Sequence, residues 1–175
     1  MLRRFSADRR GVAAIEFALL LPVLVLLYCG LAEFTLAIMA QRQAAHAASV
    51  VGDLVAQETN VNAAEMNDIF AVGQAIIKPF PRAPLKLRVT SVKADAQGVP
   101  RVVWSQGNGL GSFGLGITPA GFPPTLLAAG DSVIQADVGY TYTSPLQQVL
   151  PRPVSYANTF YLRPRRSAEV AWTGP

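Results

Sequence analysis

The chain has 175 residues, of which 51% are hydrophobic and only 15% charged, against about a quarter charged in an ordinary soluble domain. The net charge of +4 is lopsided, because Arg3, Arg4, Arg9 and Arg10 against Asp8 place most of it in the first ten residues. Such a basic tail lacks the clustered, aromatic-interleaved Lys/Arg face of a nucleic-acid binder, so nucleic acid is not an expected partner.

Residues 12–40 carry two ionised side chains, Glu16 and Glu33. Phe17 to Ala32 is an unbroken uncharged run of 16, and flanking apolar residues lengthen it. A bilayer core of about 30 Å needs roughly 20 helical residues, so the segment is long enough to span one. A cleavable secretion signal has an apolar core of only about 7–15 residues followed by a small-x-small site. Here the first such site, Ala45-His46-Ala47, lies beyond Arg42. The reading is therefore a retained transmembrane helix over 12–40, preceded by a basic leader over 1–11. Arginines crowd the flank before the span, which keeps the N-terminus in the cytoplasm and the remainder outside.

Three residues mark the span. Glu16 near its start costs a few kcal/mol in lipid, so it needs a partner or a position near the interface. Pro22 removes one helical hydrogen bond and is expected to kink the helix. Glu33 follows Glu16 by 17 residues, roughly 25 Å at the helical rise, which places it where it can reach water. Cys29 has no second cysteine, which excludes an internal disulfide or a Cys-based zinc site. It reads as a small buried hydrophobe, and the bulky Tyr28 before it argues against a lipid-modified cysteine. His46 stands without partner spacing for a metal, and no metal or cofactor is expected.

From Gln41 the pattern stays helical, with Ala44, Ala47, Ala48, Val51, Leu54 and Val55 on one stripe. Asn60–Asn62 breaks it, and Asn62 with Glu65 is spaced as a capping box. A second helix with Met66, Ile69, Phe70, Gly73, Ile76 and Ile77 on one face ends at Lys78-Pro79, closing a helical segment over 41–78. After Pro79, Pro81 and Pro84 the period changes to two. Leu85, Leu87 and Val89 alternate with polar residues; Gln97-Gly98 turns into 101–105; Ile134 to Tyr142 alternates most clearly; Val154 to Leu162 and Ala168 to Trp172 suggest two more strands. Strands grouped after helices predict an α+β chain: a β-rich domain over 79–175 with a mainly antiparallel sheet, the second helix packed over it.

Gly109-Leu110-Gly111-Ser112-Phe113-Gly114 fits G-x-G-x-x-G on paper, but Gly116, Pro119, Pro123 and Pro124 forbid the helix that a dinucleotide site requires. The stretch 107–121 reads as a long mobile loop, with contact to a neighbouring subunit as the minority reading. Asp131, Asp137 and Glu169 are scattered and read as solvated. No nucleophile–base set occurs at a recognisable motif, and an enzyme is not expected.

The segment Arg9-Arg10-Gly11-Val12-Ala13-Ala14-Ile15-Glu16-Phe17-Ala18-Leu19-Leu20-Leu21-Pro22 resembles the opening of the TadE-like family, minor pseudopilins of tight-adherence (Flp, type IVb-like) pili. The likeness continues through Gly30, Glu33 and the Ala-rich stretch to residue 52, with a weaker echo in Leu162-Arg163-Pro164-Arg165-Arg166. The resemblance implies a membrane aspartyl peptidase of the prepilin type cutting between Gly11 and Val12, where a residue without a side chain admits the backbone to the cleft. Glu16 would become the fifth residue of the mature chain and pair with the Val12 amine of a neighbouring subunit, setting axial register. The implied partners are the lipid bilayer, the peptidase, other pilins or pseudopilins and the pilus assembly platform. The implied location is the bacterial inner membrane, with the C-terminal domain in the periplasm or within a pilus. The alternative is an uncleaved single-pass envelope protein whose outer domain binds a partner or ligand.

Overall fold

The structure is a computed structural model that describes residues 11–174. The leader residues Arg3, Arg4, Asp8, Arg9 and Arg10 lie outside the described residues. The chain is α+β. Helix α1 spans Val12–Ala56, 45 residues, with Pro22 inside it. The remaining elements are β1 (Asn60–Val61), α2 (Ala63–Ile76), β2 (Leu85–Ala94), β3 (Pro100–Asn108), β4 (Ser132–Tyr142), β5 (Val154–Leu162) and β6 (Ala171–Trp172). They form two compact units: one holds α1 up to Ile38 with the segment Thr143–Pro153, the other holds Met39–Tyr142 and the chain from Val154 onward.

In the second unit an antiparallel sheet is ordered β3-β2-β4-β5. Its period-two pattern places Leu85, Leu87 and Val89 beside Tyr140, Val138 and Ala136 on one face. The second half of α1 covers that face through Ala40, Ala44, Ala47, Ala48, Val51 and Val55, all buried. Leu54, expected in this stripe, is half-buried, because the helical pitch turns it to the stripe's edge. The small residues allow close approach: a Cβ at Gly52 would lie 2.9 Å from Ala136 Cβ and 2.7 Å from Leu162 Cδ1. The sheet is thus covered by the continuation of α1 as well as by α2.

Helix α2 starts with the capping box: Glu65 N–H donates to Asn62 Oδ1, and Asn62 N–H donates to Glu65 Oε2, each at 3.0 Å. Met66, Phe70 and Gly73 are its buried face, with Ile77 buried just beyond and Ile69 and Ile76 half-buried at the margin. A Cβ at Gly73 would stand 2.7 Å from Val51 Cγ2 and 2.8 Å from Leu87 Cδ1. Gly73→Val should therefore destabilise the domain by about 1–3 kcal/mol through overpacking. Ala75→Val, on the exposed side of the same helix, should cost only a few tenths of a kcal/mol. Equal losses in thermal unfolding of the two variants would contradict this packing.

The β2–β3 hairpin turns at Gly98, whose φ of +77° suits a residue without a side chain. Asp95 organises the turn, accepting from Val99 N–H at 2.9 Å, Gln97 N–H at 3.0 Å and Arg101 Nε at 3.4 Å. The Val99 N–H above all, then Gln97 and Arg101, hold its carboxyl below the ordinary carboxylate range against partial desolvation. A lowered folded pKa contributes stability that is present at neutral pH and is lost as pH falls through the folded value.

The C-terminus does not extend the main sheet. Strand β6 pairs in parallel with β1, Asn60 opposite Ala171 and Val61 opposite Trp172. Trp104 on β3 donates Nε1–H to Val170 O at 2.7 Å and stacks 5.7 Å from Trp172. The last strand expected over Ala168–Trp172 is thus two residues long and closes the break between the helices.

The segment 107–121 is not the free loop its composition suggests. Gly116 N–H and Ile117 O bond Val102 along the β3 edge at 2.8 and 2.9 Å, and Thr118 Oγ1 donates to Pro100 O at 2.8 Å. Further on, Phe122 and Leu127 bury against Val92, Ala94 and Val133, with Tyr161 packed alongside. The connection from β3 to β4 is therefore the cover of the sheet's second face. No helix opens within it, and Gly109, Gly116 and Gly121 take positive φ.

Candidate functional site

Gly11 stands at the head of α1, exposed, and among the described residues a Cβ built there would meet nothing within 4 Å. Val12 opens the helix and Glu16 follows one turn later, exposed. Among the described residues no group pairs with the Glu16 carboxylate. Pro22 gives no N–H to the carbonyl of Ala18 four residues earlier. All of residues 12–28 are exposed, including Phe17, Leu19, Leu20, Val23, Leu24 and Leu27 at 54–72%. In water such a surface would be strongly unfavourable. The helix is long and apolar enough to cross a membrane, and none of its most apolar stretch is buried.

Burial begins abruptly at Gly30, Glu33 and Ala37, a helical stripe within the first unit. Glu33 is fully buried, which corrects the expectation that it reaches water. Its carboxylate accepts three consecutive backbone N–H groups: Gln148 at 2.8 Å, Val149 at 3.0 Å and Leu150 at 2.6 Å. Gln147 makes this possible by adopting a left-handed backbone, φ +53°, which turns successive N–H groups into an anion-holding concavity. At Gly30 a Cβ would sit 3.1 Å from Val149 Cγ2, so the segment lies directly on the helix. The partners stand 115 to 117 residues from Glu33, and no local spacing in the sequence announces them.

A second polar centre lies under the β3–β4 connection. Asp137 on β4, expected to be solvated, is buried and ion-paired to Arg88 on β2 at 2.8 Å. It also accepts from Gln135 Nε2 at 3.0 Å and Thr159 Oγ1 at 2.6 Å. The Arg88 guanidinium donates to Gly111 O at 2.9 Å and lies 3.5 Å over the Phe113 ring. The pair thereby ties the connection to the sheet. Asp131 and Glu169 are half-buried and ion-paired, with Arg163 at 3.3 Å and Lys93 at 2.6 Å.

His46 is exposed and Cys29 half-buried. No cluster of His, Cys, Asp and Glu that could hold a metal occurs among the described residues. Gly11, Val12 and Glu16 share the first turns of an uncovered helix, and Pro22 lies further along it. An uncovered apolar helix of this kind suits contact with lipid or with other helices.

Comparison with known proteins yields no matching curated protein and no matching solved structure. Residues 11–52, from Gly11 at the head of the uncovered helix to Gly52 on the sheet, match the model of the TadE-like protein family.

Proposed function

We propose that this chain is a minor pseudopilin: a structural and assembly component of a tight-adherence pilus, held in the bacterial inner membrane by α1. Its leader faces the cytoplasm and its β-rich domain the periplasm. The observation that carries the reading is the family match over 11–52, coinciding with an uncovered apolar helix that begins directly after an exposed glycine. A prepilin-type peptidase cuts between Gly11 and Val12. The new Val12 amine and Glu16 then lie a helical turn apart at the end of the span, in a layer where neither charge is comfortable alone. When helices from several subunits bundle, Glu16 neutralises the amine of a neighbour and favours one axial register.

Glu16→Gln keeps size and polarity but removes the charge. The variant should be cut, inserted and as stable as the native chain, while its incorporation into the pilus assembly falls sharply. Breaking one side of a buried charge pair typically costs about 3–5 kcal/mol, so the loss should be plain in a pilus-formation assay. Undiminished incorporation would leave Glu16 as a headgroup-level residue with no pairing role in the assembly.

A further inference from the structure

The segment Thr143–Pro153 joins two strands of the sheet domain, yet it packs with the first part of α1 in the unit that carries the apolar span. We infer that this segment is a second membrane-contacting element, held by Glu33 in the outer headgroup layer, where Leu146 and Val149 meet lipid. The inference rests on the anchor reading of α1.

Helix length sets the level. Val12 to Gly30 is roughly 27 Å and Val12 to Glu33 roughly 32 Å at the helical rise, which brackets a hydrocarbon core of about 30 Å. Val149 lies on Gly30, and the N–H groups of 148–150 lie on Glu33. The segment therefore stands at the boundary between hydrocarbon and headgroups. Its side chains suit that level: Leu146 is 46% and Val149 41% exposed, and Arg152 is exposed three residues on, where its guanidinium can reach lipid phosphate. On the helix at the same height Leu31 and Phe34 are also exposed, so apolar surface continues beside the segment.

Irregular backbone is tolerated near the hydrocarbon only where its polar groups are satisfied within the protein. Glu33 meets that demand. One carboxylate takes three adjacent N–H groups that would otherwise need water, and they in turn offset its charge. Prolines at 145, 151 and 153 lack an N–H altogether. A segment in open water would gain little from hiding its donors in this way, whereas one at a lipid surface requires it.

The test uses the full chain carrying Cys29→Ala, reconstituted in vesicles of phosphatidylethanolamine and phosphatidylglycerol. Single cysteines replace Leu146, Val149 or, as a mid-span reference, Leu20, and each is labelled with an environment-sensitive fluorophore. Labels at 146 and 149 should shift to shorter wavelength and be quenched more by a nitroxide at the headgroups than by one deep in the acyl chains. The label at 20 should show the reverse. Adding Glu33→Gln, whose amide removes the charge and replaces one of the two acceptor oxygens by a donor, should abolish the shift at 149 and leave position 20 unchanged. Unquenched labels at 146 and 149 beside a quenched label at 20 would overturn the inference while sparing the anchor. An unquenched label at 20 would overturn the anchor itself. Persistence of the shift at 149 in the Glu33→Gln chain would remove Glu33 from its holding role.

Discussion

Asp137→Ala should be among the most destabilising single substitutions in the sheet domain, at about 3–5 kcal/mol, because it strands the guanidinium of Arg88 beneath a covered surface. The side chains of the pair are only 18% and 8% exposed, so solvent screens them weakly. The loss extends beyond the pair. Arg88 also carries Gly111 O and the Phe113 ring, and Gln135 and Thr159 both donate to Asp137. Without the carboxylate, the β3–β4 connection should loosen from the sheet before the sheet itself melts. Replacing both partners with apolar residues, Arg88→Met with Asp137→Leu, should recover most of the lost stability, since a buried pair is costly to break but cheap to exchange. The measurement is chemical unfolding in detergent, followed by the fluorescence of Trp104 and Trp172. A double variant as unstable as Asp137→Ala would mean that geometry, and not the stranded charge, dominates.

Much of the fold was legible in local pattern. The capping box at Asn62 and Glu65, the turn at Gly98 and the change of period after Lys78 each depend on residues within a few positions of one another. So does the length of α1. Margins were less so: Leu54 and Ile76 keep the helical period, yet half-turn away from the core at the stripe's edge. What stayed hidden depends on partners far apart in the chain. Asp137 reads as solvated from its neighbours on β4 and becomes buried only because β2 places Arg88 beside it and the connection folds over both. Segment 107–121 has the glycines and prolines of a free loop, but Val102 and Ser105 on the sheet edge supply its hydrogen bonds. Glu33 is the sharpest case. Counted along the helix it falls at an interface, where water is the default partner, yet backbone more than a hundred residues away takes that place. The residues of the proposed processing site were named from a family likeness to the helix's opening, and the fold adds that Gly11 is sterically open and Glu16 unpartnered among the described residues.

That openness makes the second large effect interpretable. Gly11→Phe should block removal of the leader, and the precursor should accumulate in the membrane. Among the described residues a Cβ at Gly11 meets nothing within 4 Å, so the substitution should cost the fold nothing. Any effect must then arise in the cleft of the peptidase, where a bulky side chain holds the scissile backbone away. A clash of about 1–3 kcal/mol there slows the cut by roughly ten- to a hundredfold. Gly11→Ala should be affected less than Gly11→Phe, and both should insert normally, because α1 from Val12 onward is unchanged. Equal processing of all three chains would place the cut elsewhere or nowhere.

The most direct test of the central claim is the N-terminal residue of the native protein, isolated from membranes of cells that express a prepilin-type peptidase. Intact-mass measurement with N-terminal sequencing should find a chain beginning at Val12, the eleven leader residues gone, and Glu16 fifth in the mature sequence. A chain still beginning at Met1 in those cells would contradict the account, leaving α1 as the uncut anchor of an envelope protein.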